Sequence, residues 1–127
     1  KTVNDQFGHD IGDKLLIEIS RRLTAAVRSH EIIARIGGDE FLIALIAPID
    51  MTASNVEQTA QRIIKAINQP FYCENHRIQV GCSIGSAVFP GDSTEPQTVI
   101  KYADKALYYS KSHDKNRLTS YASIGIE

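Results

Sequence analysis

Apolar positions recur at helical spacing over residues 11–27. Ile11, Leu15, Leu16, Ile19, Leu23 and Val27 share one face, and Glu18, Arg21 and Arg22 occupy the other as a solvated face. Residues 31–36 and 41–47 are nearly unbroken runs of Ile, Leu and Phe, which predicts two strands buried on both faces. A second helix is expected over residues 53–67, with Val56, Ala60, Ile63, Ile64 and Ile67 as its stripe. Ser54 and Glu57 stand at capping-box spacing, and Pro70 stops the helix. Residues 71–90 read as a strand, a tight turn at Glu74-Asn75 and a longer strand in which Ile78, Val80, Cys82 and Ile84 alternate. Gly85 marks either a bulge or a place of close packing. Residues 91–112 predict a third helix, with Thr94 as a cap, Pro96 near the first turn, and Val99, Ile100, Ala103, Ala106 and Leu107 facing inward. Residues 117–123 suit a short last strand.

This order predicts a mixed sheet covered by helices, an α/β or α+β sandwich. Burial of the first strand pair on both faces needs a well-populated sheet, so a further central strand is expected just before Lys1. The chain opens on Lys rather than Met and reads as a domain cut from a longer protein.

Length and charge narrow the classes. The 127 residues suit one domain, residues 1–127, with one core. A net charge of -1 gives no bulk attraction to nucleic acid or to anionic membrane. No apolar run approaches the roughly 20 residues that span a bilayer, and none of these residues is expected to act as a signal peptide. Cys73 and Cys82 fit neither zinc spacing nor a disulfide framework, which favours two reduced thiols in a cytoplasmic domain; a hairpin between them would allow a disulfide. His30, His76 and His113 show no ligand spacing and read as surface residues. Tyr108 and Tyr109 are expected to pack at the end of the last helix.

Two polar stretches are not accounted for by the core. Gly37, Gly38, Asp39 and Glu40 stand between the first two strands. The glycines permit positive φ and let a ligand approach bare backbone, whose N–H groups bind anions. The acids add hard oxygen donors. A carboxylate beside phosphate is repulsive unless a divalent cation lies between them, and Mg²⁺ binds in that way. The same four residues also suit a plain solvated turn. The second stretch, residues 1–16, holds Asn4, Asp5, His9, Asp10 and Asp13 ahead of a helix. Asn and Asp together can read a guanine edge; the alternative is helix capping by Asp10 or Asp13.

Four segments, "KTVNDQFGHDIGDKLL", "ARIGGDEF", "SIGSAVFP" and "YADKALYYSKSHDKNR", together resemble the GGDEF family of diguanylate cyclases and cover almost the whole chain in the family's order. The resemblance implies a five-stranded mixed sheet flanked by helices, like nucleotide-cyclase and polymerase palm domains, with an additional small hairpin. It implies that two domains, each holding one GTP, meet as a homodimer and form cyclic di-GMP and two pyrophosphates. Asn4 and Asp13 match the guanine-binding pair, and His9 lies in the same segment. Asp39 matches the acid that binds Mg²⁺ or Mn²⁺ and acts as base, and Glu40 supports that centre. Lys1, Lys111 and Lys115 match basic residues near the phosphates. The implied parent chain carries a sensor, sometimes a membrane anchor, and in many members a phosphodiesterase domain of the EAL type. A silent GTP-binding domain that controls such a neighbour is the alternative function.

Two departures from the family pattern stand out. The acidic segment that ends the family's leading strand would precede Lys1, so residues 1–127 alone are expected to be inactive. The family's product-inhibition pair, Arg-x-x-Asp, is here Arg28 and Glu31. The longer Glu31 side chain displaces the carboxylate, and weak product feedback is expected.

Overall fold

The computed structural model describes residues 8–27, 32–37, 40–45, 53–113 and 116–124. They form helix α1 (His9–Ala26), strands β1 (Ile32–Gly37) and β2 (Glu40–Ala44), helix α2 (Ala53–Asn68), strands β3 (Phe71–Cys73), β4 (His76–Ile78) and β5 (Ile84–Ser86), helix α3 (Pro96–His113), strand β6 (Leu118–Ser120) and a 3₁₀ turn (Tyr121–Ile124). The chain divides into two compact units, residues 1–80 and 81–127.

In the first unit α1 packs against α2 and β3. Ile11, Leu15 and Ile78 form a buried cluster, with Ile19, Phe71, Cys73 and Val80 packed against it. The stripe predicted for α2 is buried at Ala60, Ile63, Ile64 and Ile67. That helix already contains Ser54, so its start lies ahead of the expected cap. The turn predicted at Glu74-Asn75 has φ of 50° and 68°, the left-handed pair of a type I′ hairpin joining β3 to β4. Lys14 holds this turn to α1 through a 2.7 Å ion pair with Glu74.

Arg22 corrects the expectation of a solvated charge face. Its side chain is only 13% exposed. The guanidinium donates to the carbonyls of Ala66 (3.0 Å), Ile67 (3.3 Å), Gln69 (2.8 Å) and Pro70 (3.1 Å), at the end of α2. Carbonyls at a helix end lack the next turn's N–H groups, here only partly replaced by the Gln69 N–H on Ala66 at 3.3 Å, and a planar fork of N–H groups can serve several of them together. Arg21 is exposed, as expected, and pairs with Glu18.

The β1–β2 hairpin is antiparallel. Double-sided burial is not found: Ile32 and Ile36 are 59% and 56% exposed. Among the described residues no third strand joins either edge, so the apolar runs lack a layer to bury them. The strands form three two-stranded pairs, and no single five-stranded sheet is seen among the described residues. The long strand expected after Asn75 is also interrupted, because β4 ends at Ile78 and β5 begins at Ile84 with a different partner.

In the second unit β5 and β6 are parallel and α3 packs on both. Gly85 is a close-packing position: a Cβ there would lie 2.2 Å from the Leu107 nitrogen and 2.3 Å from the Ala103 carbonyl oxygen. Ala106 is fully buried, whereas Ile100, expected to face inward, is largely exposed. Ser93 rather than Thr94 supplies the side chain ahead of α3, its Oγ accepting the Glu95 N–H at 3.1 Å. Tyr121 stacks on Tyr102 with ring centres 3.9 Å apart. Both cysteines are free thiols, and burial pushes the Cys82 thiol up to about 11.

Candidate functional site

The signature hairpin supplies the first part of the site. Gly37 ends β1 and pairs with Glu40, the first residue of β2, after a register shift between Arg35 and Gly37. Gly37 has φ of 156°, a backbone that residues with a Cβ rarely adopt, and open space lies where a Cβ would be. The glycine is therefore required by backbone conformation and not by crowding. Glu40 is half-buried at the start of its strand. Gly38 and Asp39, between them, lie outside the described residues.

The start of α1 supplies the second part. Gly8, with φ of 92°, is the N-cap, and no side chain caps the helix. The capping alternative for Asp10 and Asp13 is thereby removed. Asp10 lies in the first turn, where the helix dipole favours a negative charge. His9 and Asp13 are one helical turn apart, and both are exposed. Lys111 belongs to the second unit, on the last turn of α3, and is exposed. Lys1, Asn4, Lys115, Arg28, Glu31 and His30 fall outside the described residues.

Two surface assignments hold. His76 and His113 are exposed, and His113 stacks on Tyr109 with ring centres 3.8 Å apart. Tyr108, expected to pack at the end of the last helix, is instead 74% exposed. The described residues contain no cluster of three or more metal-ligating side chains, and none of their helices is long and apolar enough to cross a membrane.

Sequence reasoning missed a buried hydroxyl pair next to Lys111 in sequence, formed by Ser110 and Thr119. Ser110 continues the inward spacing of Val99, Ala103 and Ala106, so a hydroxyl on an apolar stripe was the available signal.

A mixed α/β chain with a glycine-acid hairpin tip and exposed polar residues opening its first helix defines a class, and comparison identifies it. The model of the family "Diguanylate cyclase, GGDEF domain" matches residues 1–117, and the chain belongs to this family. It is 39% identical, over 91% of its length, to the bifunctional diguanylate cyclase/cyclic di-GMP phosphodiesterase MucR of Pseudomonas aeruginosa, and spans 16% of that protein. The crystal structure of the GGDEF domain of YfiN (TpbB) from Pseudomonas aeruginosa is similar with a TM-score of 0.88 at 28% identity, over 94% of this chain and 73% of that one. An EAL/GGDEF domain protein from M. capsulatus gives a TM-score of 0.84 at 38% identity, over 94% and 76% of the two chains.

Proposed function

We propose that this chain is the diguanylate cyclase domain of a longer cytoplasmic signalling protein, and that it condenses two GTP molecules into cyclic di-GMP and two pyrophosphates. The observation that carries the reading is the backbone of the signature turn: Gly37, held at a φ that other residues rarely adopt, stands in register with Glu40. That arrangement brings bare main chain and a carboxylate together at one hairpin end, within a family match that spans residues 1–117.

The donor set suits a hard divalent cation. Asp39 and Glu40 are adjacent carboxylates following a glycine pair, and Mg²⁺ or Mn²⁺ takes one or two carboxylates together with phosphate oxygens. Bound there, the cation offsets charge on the phosphates. Asn4 and Asp13 hold the guanine base, with His9 beside them, while Lys1, Lys111 and Lys115 hold the triphosphate. Gly37 and Gly38 give it room. Asp39 takes the proton from the 3′-hydroxyl that attacks the α-phosphate of the second GTP. One domain holds one substrate, so a two-fold homodimer supplies the other and proximity sets the rate.

Pyrophosphate release from GTP by the full-length protein tests this reading. Release that Asp39→Ala abolishes is expected. A second reading, a silent GTP-binding domain controlling an EAL phosphodiesterase neighbour, is favoured by the EAL/GGDEF composition of the M. capsulatus protein. It predicts GTP binding without pyrophosphate release. Product feedback through Arg28 and Glu31 is weak on either reading, and calorimetry with cyclic di-GMP checks it.

A further inference from the structure

The last turn of α3 is joined to β5 and β6 by hydroxyls removed from water. Ser110 is 0% exposed and Thr119 2%. Their hydroxyl oxygens lie 2.5 Å apart. Ser110 Oγ is also 3.2 Å from the Ile84 carbonyl oxygen and 3.3 Å from that of Arg117. A serine hydroxyl has one proton. Donation by Ser110 to a carbonyl therefore requires that it accept from Thr119. Past the helix, Asn116 adopts a left-handed φ of 67°. Its side-chain oxygen accepts the Cys82 N–H at 2.8 Å, and its own N–H donates to Ser83 Oγ at 3.1 Å. Ser110 and Asn116 thus both bond to residues 82–84, at and just before the start of β5.

Stability alone does not call for this arrangement. Replacing both partners of a buried hydrogen bond with apolar groups of the same shape is close to neutral. What such a pair adds is direction, because a hydrogen bond fixes the angle at which two elements meet and an apolar contact does not. The residue that follows Ser110 is Lys111, exposed at the end of α3.

We propose that Ser110 is a positioning residue for Lys111. Through Thr119 and the carbonyls of Ile84 and Arg117, it sets the rotation of the last turn of α3 so that Lys111 meets the triphosphate of GTP. The inference rests on the reading of Lys111 as a phosphate ligand given above. Ser110 is buried and does not itself touch the nucleotide.

A mutant cycle in the full-length protein tests it. S110A/T119V keeps the volume and removes the hydroxyls; it is expected to raise KM for GTP about fivefold while kcat changes less than about twofold. Thr119→Ser, which keeps the hydroxyl, restores KM. In a Lys111→Ala background, S110A/T119V is expected to add less than about twofold, because the two act on one contact. An unchanged KM, or the same increase with and without Lys111, overturns the proposal. Should the double variant unfold, an unchanged KM in the milder Thr119→Ala overturns it instead. If the wild type binds GTP but releases no pyrophosphate, the cyclase reading fails, and the same cycle on the GTP dissociation constant decides the role of Ser110. A wild type without affinity for GTP overturns both.

Discussion

The Arg22 guanidinium, on the first helix, hydrogen-bonds the carbonyl of Ala66 on the second at 3.0 Å. Three further carbonyls, of Ile67, Gln69 and Pro70, share the same side chain. One residue thus caps a helix from another helix and fixes where α2 ends against α1. Arg22→Ala is expected to cost about 2 kcal/mol in chemical denaturation, since it removes the side-chain donor that four carbonyls share in a half-buried place. Arg22→Lys is expected to recover less than half of that, because an ammonium cannot spread over four acceptors as the planar fork does.

Glu18 makes the same helix pair sensitive to acid. Hydrogen bonds from Arg21 and Arg22 pull its carboxyl down to about 2, against roughly 4.3 for an unperturbed glutamate. A carboxyl depressed on folding contributes stability above its unfolded value and loses it as pH falls through the folded one. Unfolding free energy measured between about pH 4.5 and pH 2 should therefore fall with acid in the wild type. Glu18→Gln should fall less steeply over that window.

Gly37→Ala separates backbone strain from crowding at the signature turn. No atom lies within 4 Å of the added Cβ, so the cost comes from φ alone and is expected at roughly 1–2 kcal/mol. GTP turnover is expected to fall by more than about tenfold, because a small displacement of a ligand-binding edge is costly to rate. Wild-type turnover in a folded Gly37→Ala would remove the hairpin from the site.

Gly85→Ala acts by the opposite cause. The new Cβ would meet main-chain atoms of Leu107 and Ala103, which cannot rotate away as a side chain would. Helix α3 must lift from β5, and a loss of about 3 kcal/mol is expected by denaturation. Faster hydrogen exchange should appear first at β5 and β6.

The half-buried Cys82 thiol, raised to about 11 by burial, should be inert in the native protein. At pH 8 roughly one molecule in a thousand carries the thiolate, the reactive form. Alkylation of Cys82 at pH 8 is expected to require denaturant, and rapid labelling of the folded protein would refute the burial.

Periodicity and turn chemistry determined the local structure. The stripes of α1 and α2, the left-handed pair Glu74-Asn75 and the close approach at Gly85 were all legible, because each depends on neighbours in sequence or on a residue type with one conformational use. The family was legible for a related reason: the signature from Gly37 to Phe41 packs its chemistry into consecutive positions. Tertiary structure decided what depends on distant partners. Arg22 looks like a surface charge until the end of α2 is placed beside it. Ser110 looks like an imperfection in an apolar stripe until Thr119 and the Arg117 carbonyl meet it. Ile32 and Ile36 look like core until the hairpin is found without a covering layer among the described residues. A side chain's burial and hydrogen bonds are properties of the elements packed against it, and in this chain a side-chain hydrogen bond reaches a partner 60 residues away.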